Sequence, residues 1–242
     1  VLYPLIYILS SSFSSGQAVS SGKVIFFPVN FSIEGYKRVF ENLRVYVGYR
    51  NSIFYTVVGT LINISMTLIC AYPMSRRDLP GRKYIMRILV FTMYFSGGMI
   101  PSYLLIRDLN MLNTVWALLI PGAFSVYQMI ITRTFIQSTI PEEMLEATKI
   151  DGCDDFRYFV QFILPLSKAV IAVITLQYAV GHWNSYFAAF IYLTDKNLFP
   201  LQVFLREILV MSQIEVSEFT DPETAAIMQG MADLLKYALI IV

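Results

Sequence analysis

The side chains best equipped for polar chemistry lie where lipid-soluble sequence is densest. Residues 169–194 carry no charge when His182 is neutral, yet near their middle they hold Gly181, His182, Trp183, Asn184 and Ser185. Gln177, Gly181 and Asn184 recur at helical spacing and share one face. Strongly polar side chains at membrane depth are costly and line an interior or a pathway, so this face is a candidate for reversible hydrogen bonds to a polar solute. A bond between helices made by His182 or Asn184 is the alternative. A second polar face comes from Thr56, Thr60, Asn63 and Thr67 in the uncharged run 52–72. It either packs against neighbouring helices or borders a water-filled path.

This chemistry is non-covalent. There is no Gly-x-x-x-x-Gly-Lys-Ser/Thr phosphate loop, no Gly-x-Ser-x-Gly elbow and no His/Cys/Glu set at metal spacing. One histidine is too little for catalysis, so the expectation is no catalytic residue, no metal and no cofactor bound by this chain. The long uncharged runs hold no carboxylate, which proton- or sodium-coupled carriers usually show. Cys70 falls in a predicted span and Cys153 in a polar loop, so a disulfide between them is not expected.

The elements that position these residues are membrane spans. The 242 residues are 56% hydrophobic and 14% charged, against about a quarter charged in soluble domains. A net charge of +1 gives no case for a nucleic-acid partner. Residues 52–72, 88–106, 109–132 and 169–194 read as spans, the second interrupted by Gly97, Gly98 and Pro101 and the third by Pro121 and Gly122. The apolar runs 1–9 and 237–242 are each too short to cross and read as remnants of a first and a last span. The expectation is one all-α membrane domain over 1–242 with six spans and both ends of the intact protein cytoplasmic. Arg76, Arg77, Arg82, Lys83 and Arg87, crowded into one short loop, mark that loop as cytoplasmic. Alternation then puts loops 10–49 and 195–222 outside and loop 138–165 inside. Phe199–Val210 reads as an amphipathic helix, and 211–222 as an acidic loop.

The inner loop is the polar interruption of the chain. Ser138 and Thr139 are candidate caps, Pro141 suits a first turn, and Glu142 and Glu143 place negative charge at the positive end of a helix dipole. That helix should stop at Gly152, and Asp154 should cap a second one running to Leu164, with Pro165 starting the next segment. Ile140, Met144, Ala147 and Ile150 form an apolar stripe. A helix this short needs something to pack on, either the bundle ends or a partner.

This segment resembles the cytoplasmic loop of binding-protein-dependent ABC importer permeases, with the pattern Glu-Ala-Ala, three residues, Gly, nine residues, Ile, one residue, Leu-Pro. Glu146, Ala147, Gly152, Leu164 and Pro165 match, while Thr148 replaces the second Ala and Phe162 the Ile, so five of seven positions agree. Trp183-Asn184 and Phe199-Pro200-Leu201-Gln202 are similar to the maltose-type carbohydrate permeases, and the chain as a whole is similar to permeases for plant-derived or acidic oligosaccharides. The resemblance implies a multi-pass subunit of a bacterial plasma membrane. Its implied partners are an ABC ATPase dimer that uses ATP and Mg, a second and similar permease, and an external binding protein that delivers the carbohydrate. It also implies residue roles. Met144, Glu146, Ala147, Thr148, Gly152, Leu164 and Pro165 couple to the ATPase. Met211, Gln213, Glu215 and Glu218 are candidates for touching the binding protein, while Asn63, Gln177, His182, Trp183 and Asn184 are pathway candidates on their own polarity at membrane depth. An ATP-independent carrier or channel is the alternative.

Overall fold

In the computed structural model of the chain, the polar and apolar faces of the longest helix are reversed relative to a soluble protein. Helix α4 (Leu43–Ser75) buries Thr60, Asn63 and Thr67 while Ile53, Val57, Leu61 and Ile69 stand exposed on its surface. Inward polar groups and outward aliphatics are the arrangement a hydrocarbon solvent selects. The structure describes residues 2–218, 230, 232 and 235–241, and over 211–218 the backbone alone.

The preceding helices are α1 (Leu2–Ser12), α2 (Gly16–Ser20) and α3 (Glu34–Glu41). After α4 come α5 (Arg82–Tyr94), α6 (Met99–Asp108), α7 (Trp116–Leu119), α8 (Val126–Thr139), α9 (Glu142–Ile150) and α10 (Asp155–Tyr158). A π-turn at Phe159–Ile163 leads into α11 (Leu164–Leu166), then α12 (Lys168–Trp183), α13 (Phe187–Tyr192) and α14 (Leu201–Glu218). No strand occurs among the described residues, in agreement with the all-α expectation.

The chain forms two compact units, residues 1–51 with 195–242, and residues 52–194. In the first, residues 10–49 are more ordered than a plain loop. Serines of the α1 end take over backbone partners: Ser14 Oγ accepts from Val29 N at 3.0 Å, Ser10 Oγ donates to the Phe26 carbonyl at 2.6 Å, and Tyr36 Oη donates to Ser12 Oγ at 2.9 Å. Val39, Val45, Leu201, Leu205, Ala238 and Leu239 form its core. The second unit packs around Ala71, Met74, Met129, Ile136, Tyr158 and Ile163.

Several expected spans are corrected. α4 begins at Leu43, nine residues before the run that starts at Ser52, because Arg44 and Arg50 are tolerated in its exposed first turns. The 88–106 run is two helices, α5 and α6, meeting at 110° across Phe95–Gly98. The 109–132 run is likewise split. Pro121 follows the four-residue α7, and Ser125 Oγ, 3.5 Å from Gln128 N, caps the restart at α8. The 169–194 run ends as a helix at Trp183 and resumes only as the short α13. Among the described residues one helix is long and apolar enough to cross a membrane, and up to three are if each bent pair counts as one span. Residues 211–218, expected as a loop, continue α14, and 219–222 lie outside the described residues.

Candidate functional site

Helix α9 ends through a paired hydrogen-bond motif. Gly152 N donates to the Lys149 carbonyl at 3.0 Å and Cys153 N to the Thr148 carbonyl at 3.0 Å, with Gly152 left-handed at φ 76°. Only glycine takes that conformation without cost, so the expected stop at Gly152 is a backbone requirement. Asp154 then caps α10, its carboxylate accepting from Arg157 N at 2.6 Å. Ser138 and Thr139 do not cap α9. They complete the last turn of α8, and Pro141 holds the N-cap position without a side-chain bond.

The packed face of α9 is turned from the expected stripe. Ile140, Met144 and Leu145 sit against the core and Thr148 is buried, whereas Ala147 is exposed and Ile150 is 87% exposed. The bundle ends satisfy one side of the helix only. Glu143, Glu146, Ala147 and Ile150 therefore form a solvent-facing strip at helical spacing, and Phe156, 76% exposed, stands beyond the turn. Thr148 fits the packed side because its hydroxyl donates to the Leu145 carbonyl at 3.0 Å. Phe162 is half-buried against the core. Leu164 and Pro165 lie inside α11, and the chain breaks at Ser167, where the flanking helical segments meet at 79°. Proline cannot donate to the preceding turn, and the wider π-turn directly before Leu164 accommodates the missing bond.

Sequence reasoning took the arginine-rich loop only as a marker of sidedness. The structure gives it a second role, because the loop grips the α9–α10 segment. Arg76 pairs with both Asp78 and Asp155, Arg77 lies 3.1 Å from Glu142, and Lys149 lies 3.9 Å from Asp78. The hydrogen bond from Arg76 holds the Asp78 carboxyl down at about 2, and the same pairing holds the Arg76 guanidinium charged. Carbonyls at the α4 end are met in turn by Arg133 Nε to Met74 at 2.8 Å, Gln137 Nε2 to Ser75 at 2.7 Å and an Arg82 guanidinium nitrogen to Arg76 at 2.8 Å. A cleft of about 690 Å³ opens between this loop, the end of α8 and α9.

The polar interior joins residues that the sequence placed apart. Asn63 Nδ2 donates to the Gly122 carbonyl in the α7–α8 break, which turns Asn63 Oδ1 toward His182 Nε2 at 2.7 Å. That orientation assigns the ring proton to Nε2, which donates to Asn63. Gly59 makes room for the ring: a Cβ there would lie 2.5 Å from His182 Nε2. Thr67 Oγ1 meets Tyr178 Oη at 2.7 Å, and Gln128 Nε2 donates to Gln177. Tyr178 and Gln128 were missed, since neither lies on the two polar faces that helical spacing picks out, Gln177-Gly181-Asn184 and Thr56-Thr60-Asn63-Thr67. The buried Thr56 Oγ1, Thr60 Oγ1 and Gln128 Oε1 have no partner among the described residues. Of the pathway candidates, Asn63 and His182 come together and Gln177 joins the α8 side. Trp183 is half-buried at the α12 end, and Asn184 Nδ2 donates to its own helix at the Val180 carbonyl, 2.9 Å away. Gln177, Gly181 and Asn184 nonetheless share an exposed face. The side chains of Met211, Gln213, Glu215 and Glu218 lie outside the described residues.

Comparison with known proteins places this geometry. Residues 45–215 match the family model described as binding-protein-dependent transport system inner membrane component. The chain is 42% identical over 209 residues to the polygalacturonan/rhamnogalacturonan transport system permease protein YtcP of Bacillus subtilis, covering 86% of this chain and 73% of that protein. It is 39% identical over 213 residues to Protein LplC of the same organism, covering 88% of this chain and 72% of the other. The crystal structure of a bacterial ABC transporter involved in the import of the acidic polysaccharide alginate contains a chain that superposes with a TM-score of 0.85 at 34% identity, over 99% of this chain and 86% of that one.

Proposed function

Because the chain belongs to the binding-protein-dependent transport system inner membrane component family, we propose that it is the membrane-spanning subunit of an ATP-driven importer for an acidic oligosaccharide. The observation that carries the coupling half of this reading is the solvent-facing strip of Glu146, Ala147 and Ile150. It belongs to a helix anchored on its other side and stopped by the Gly152 turn. Such a strip gives a separate ATPase a firm handle, since force applied there reaches the spans through Met144 and Leu145. In this reading the 141–157 segment and the arginine-rich loop face the cytoplasm, as do both termini, in the plasma membrane of a bacterium. The 1–242 domain pairs with a second permease. ATP and Mg bind the partner ATPase, and this subunit supplies transport without catalysing a reaction.

The substrate class rests on likeness to the polygalacturonan/rhamnogalacturonan permease and to the alginate importer. An external binding protein hands over the sugar, and α14 at 211–218 is the candidate contact. Uncharged polar groups along the route suit the hydroxyls of a sugar, since Asn63, Gln128, Gln177 and His182 can exchange hydrogen bonds with them.

The test is co-expression with the cognate ATPase, second permease and binding protein, followed by uptake into proteoliposomes. ATP-dependent uptake of galacturonate oligomers in preference to raffinose is the expected result. Uptake without an ATPase, or failure of the ATPase to co-purify, refutes the ABC reading. Preference for raffinose refutes the acidic substrate alone.

A further inference from the structure

Arg76 differs from its neighbour Arg77 in burial and from the other loop cations in its partners. Its side chain is 13% exposed, against 79% for Arg77, so it offers little surface to a docking protein. Its guanidinium bridges Asp78 of its own loop and Asp155, the first residue of α10, and also donates to Tyr72 Oη at 3.3 Å. Around it, Arg77 reaches Glu142 at the start of α9 and Asp78 faces Lys149 near its end. The loop therefore holds both helices of the segment, one on each side of the Gly152 turn.

The opposite end of this connection is the polar interior. Loop 76–81 follows directly from α4, and α4 carries Asn63 and Thr67, which bond to His182 and Tyr178 on α12. Asn63 lies about 18 Å along that helix from Ser75, at ~1.5 Å per residue. A continuous helix, with Pro73 two residues before its end, held by charge at one end and by hydrogen bonds at the other is a physical link, and adjacency alone would not make it one.

We infer that Arg76 is a positioning residue for transport: it carries displacement of the α9–α10 segment into α4, and thereby into the polar layer at Asn63 and His182. The inference rests on the proposed importer reading, in which an ATPase moves that segment. Asp78 and Asp155 orient the fork, since a planar guanidinium can serve two carboxylates at once where an ammonium cannot do so in fixed geometry. The cluster transmits motion because its ion pairs are local and directional. Apolar packing beneath α9 would still hold the segment in place without them.

The test uses the complete complex with its ATPase and second permease in proteoliposomes. The parent chain carries Cys70→Ser, Cys153→Ser and the reporter Thr60→Cys, probed with a membrane-impermeant maleimide before and after vanadate trapping with ATP. Trapping is expected to change the parent's labelling rate by about tenfold, as when an accessible state populated at ~10% becomes the main one or the reverse. Arg76→Gln and Asp155→Asn are each expected to reduce that change to less than about threefold while the ATPase still co-purifies. Arg76→Lys should fall between. An undiminished response in Arg76→Gln overturns the inference and leaves the importer reading standing. Loss of ATPase co-purification in both Arg76→Gln and Asp155→Asn also overturns it, by assigning the cluster to assembly. A parent with no ATPase, or with no response to trapping, overturns the importer reading and the inference with it.

Discussion

Replacing Gly59 with alanine is a sharp probe of the interior, because its sign should depend on a residue 123 positions away in the sequence, His182. In the parent protein the new methyl would fall 2.5 Å from His182 Nε2 and Cε1 and 2.9 Å from Cδ2. The ring must move, which breaks its bond to Asn63 Oδ1. Overpacking costs about 1–3 kcal/mol, and the lost bond adds ~0.6 kcal/mol, the average for hydrogen bonds between membrane helices. Against this, alanine is favoured over glycine inside a helix by roughly 0.5–1 kcal/mol. Gly59→Ala should therefore destabilise the protein by about 1–3 kcal/mol. Once His182→Ala has removed the ring, the same change should stabilise it by roughly 0.5–1 kcal/mol. Equilibrium unfolding of the four variants of this double-mutant cycle in mixed micelles with increasing SDS measures the coupling. An identical effect of Gly59→Ala in both backgrounds would refute the close approach of the two helices.

At Gly152 a Cβ would meet nothing within 4 Å, so only the backbone conformation opposes substitution. Gly152→Val should cost at least ~1–2 kcal/mol at the turn and depress ATP-driven uptake, whereas Gly152→Asn, which tolerates the left-handed region, should be nearly silent. Equal loss in both would assign the defect to the side chain. Ile150→Asp leaves the core untouched and should abolish ATPase co-purification without lowering the thermal midpoint of the isolated subunit, as differential scanning fluorimetry can check. Asn184→Leu removes only a bond to its own helix, so assembly on native gels should be unchanged while uptake of galacturonate oligomers falls; disrupted assembly would make Asn184 structural.

The corrections to the sequence reading share a cause. A hydropathy run reports the solvent a segment prefers but not the direction in which it travels, and residues 88–106 are as apolar as a straight span while bending by 110°. Ala147 and Ile150 illustrate the same limit on a smaller scale. They have the spacing of a buried stripe, yet the supporting surface takes the Met144–Thr148 side and leaves them exposed.

By itself the sequence determined the solvent, one helix boundary and the family. Composition decided the solvent, Gly152 and Asp154 decided where one helix stops and the next begins, and the 146–165 pattern decided the family, because each depends on residues close together along the chain. Tertiary structure alone decided which polar groups pair. Asn63 finds His182, Thr67 finds Tyr178 and Arg76 finds Asp155 across separations that no periodicity records. Burial away from water favours a partner for Asn63 and Thr67, opposite charge draws Arg76 to Asp155, and which partner each finds is set by how the helices cross.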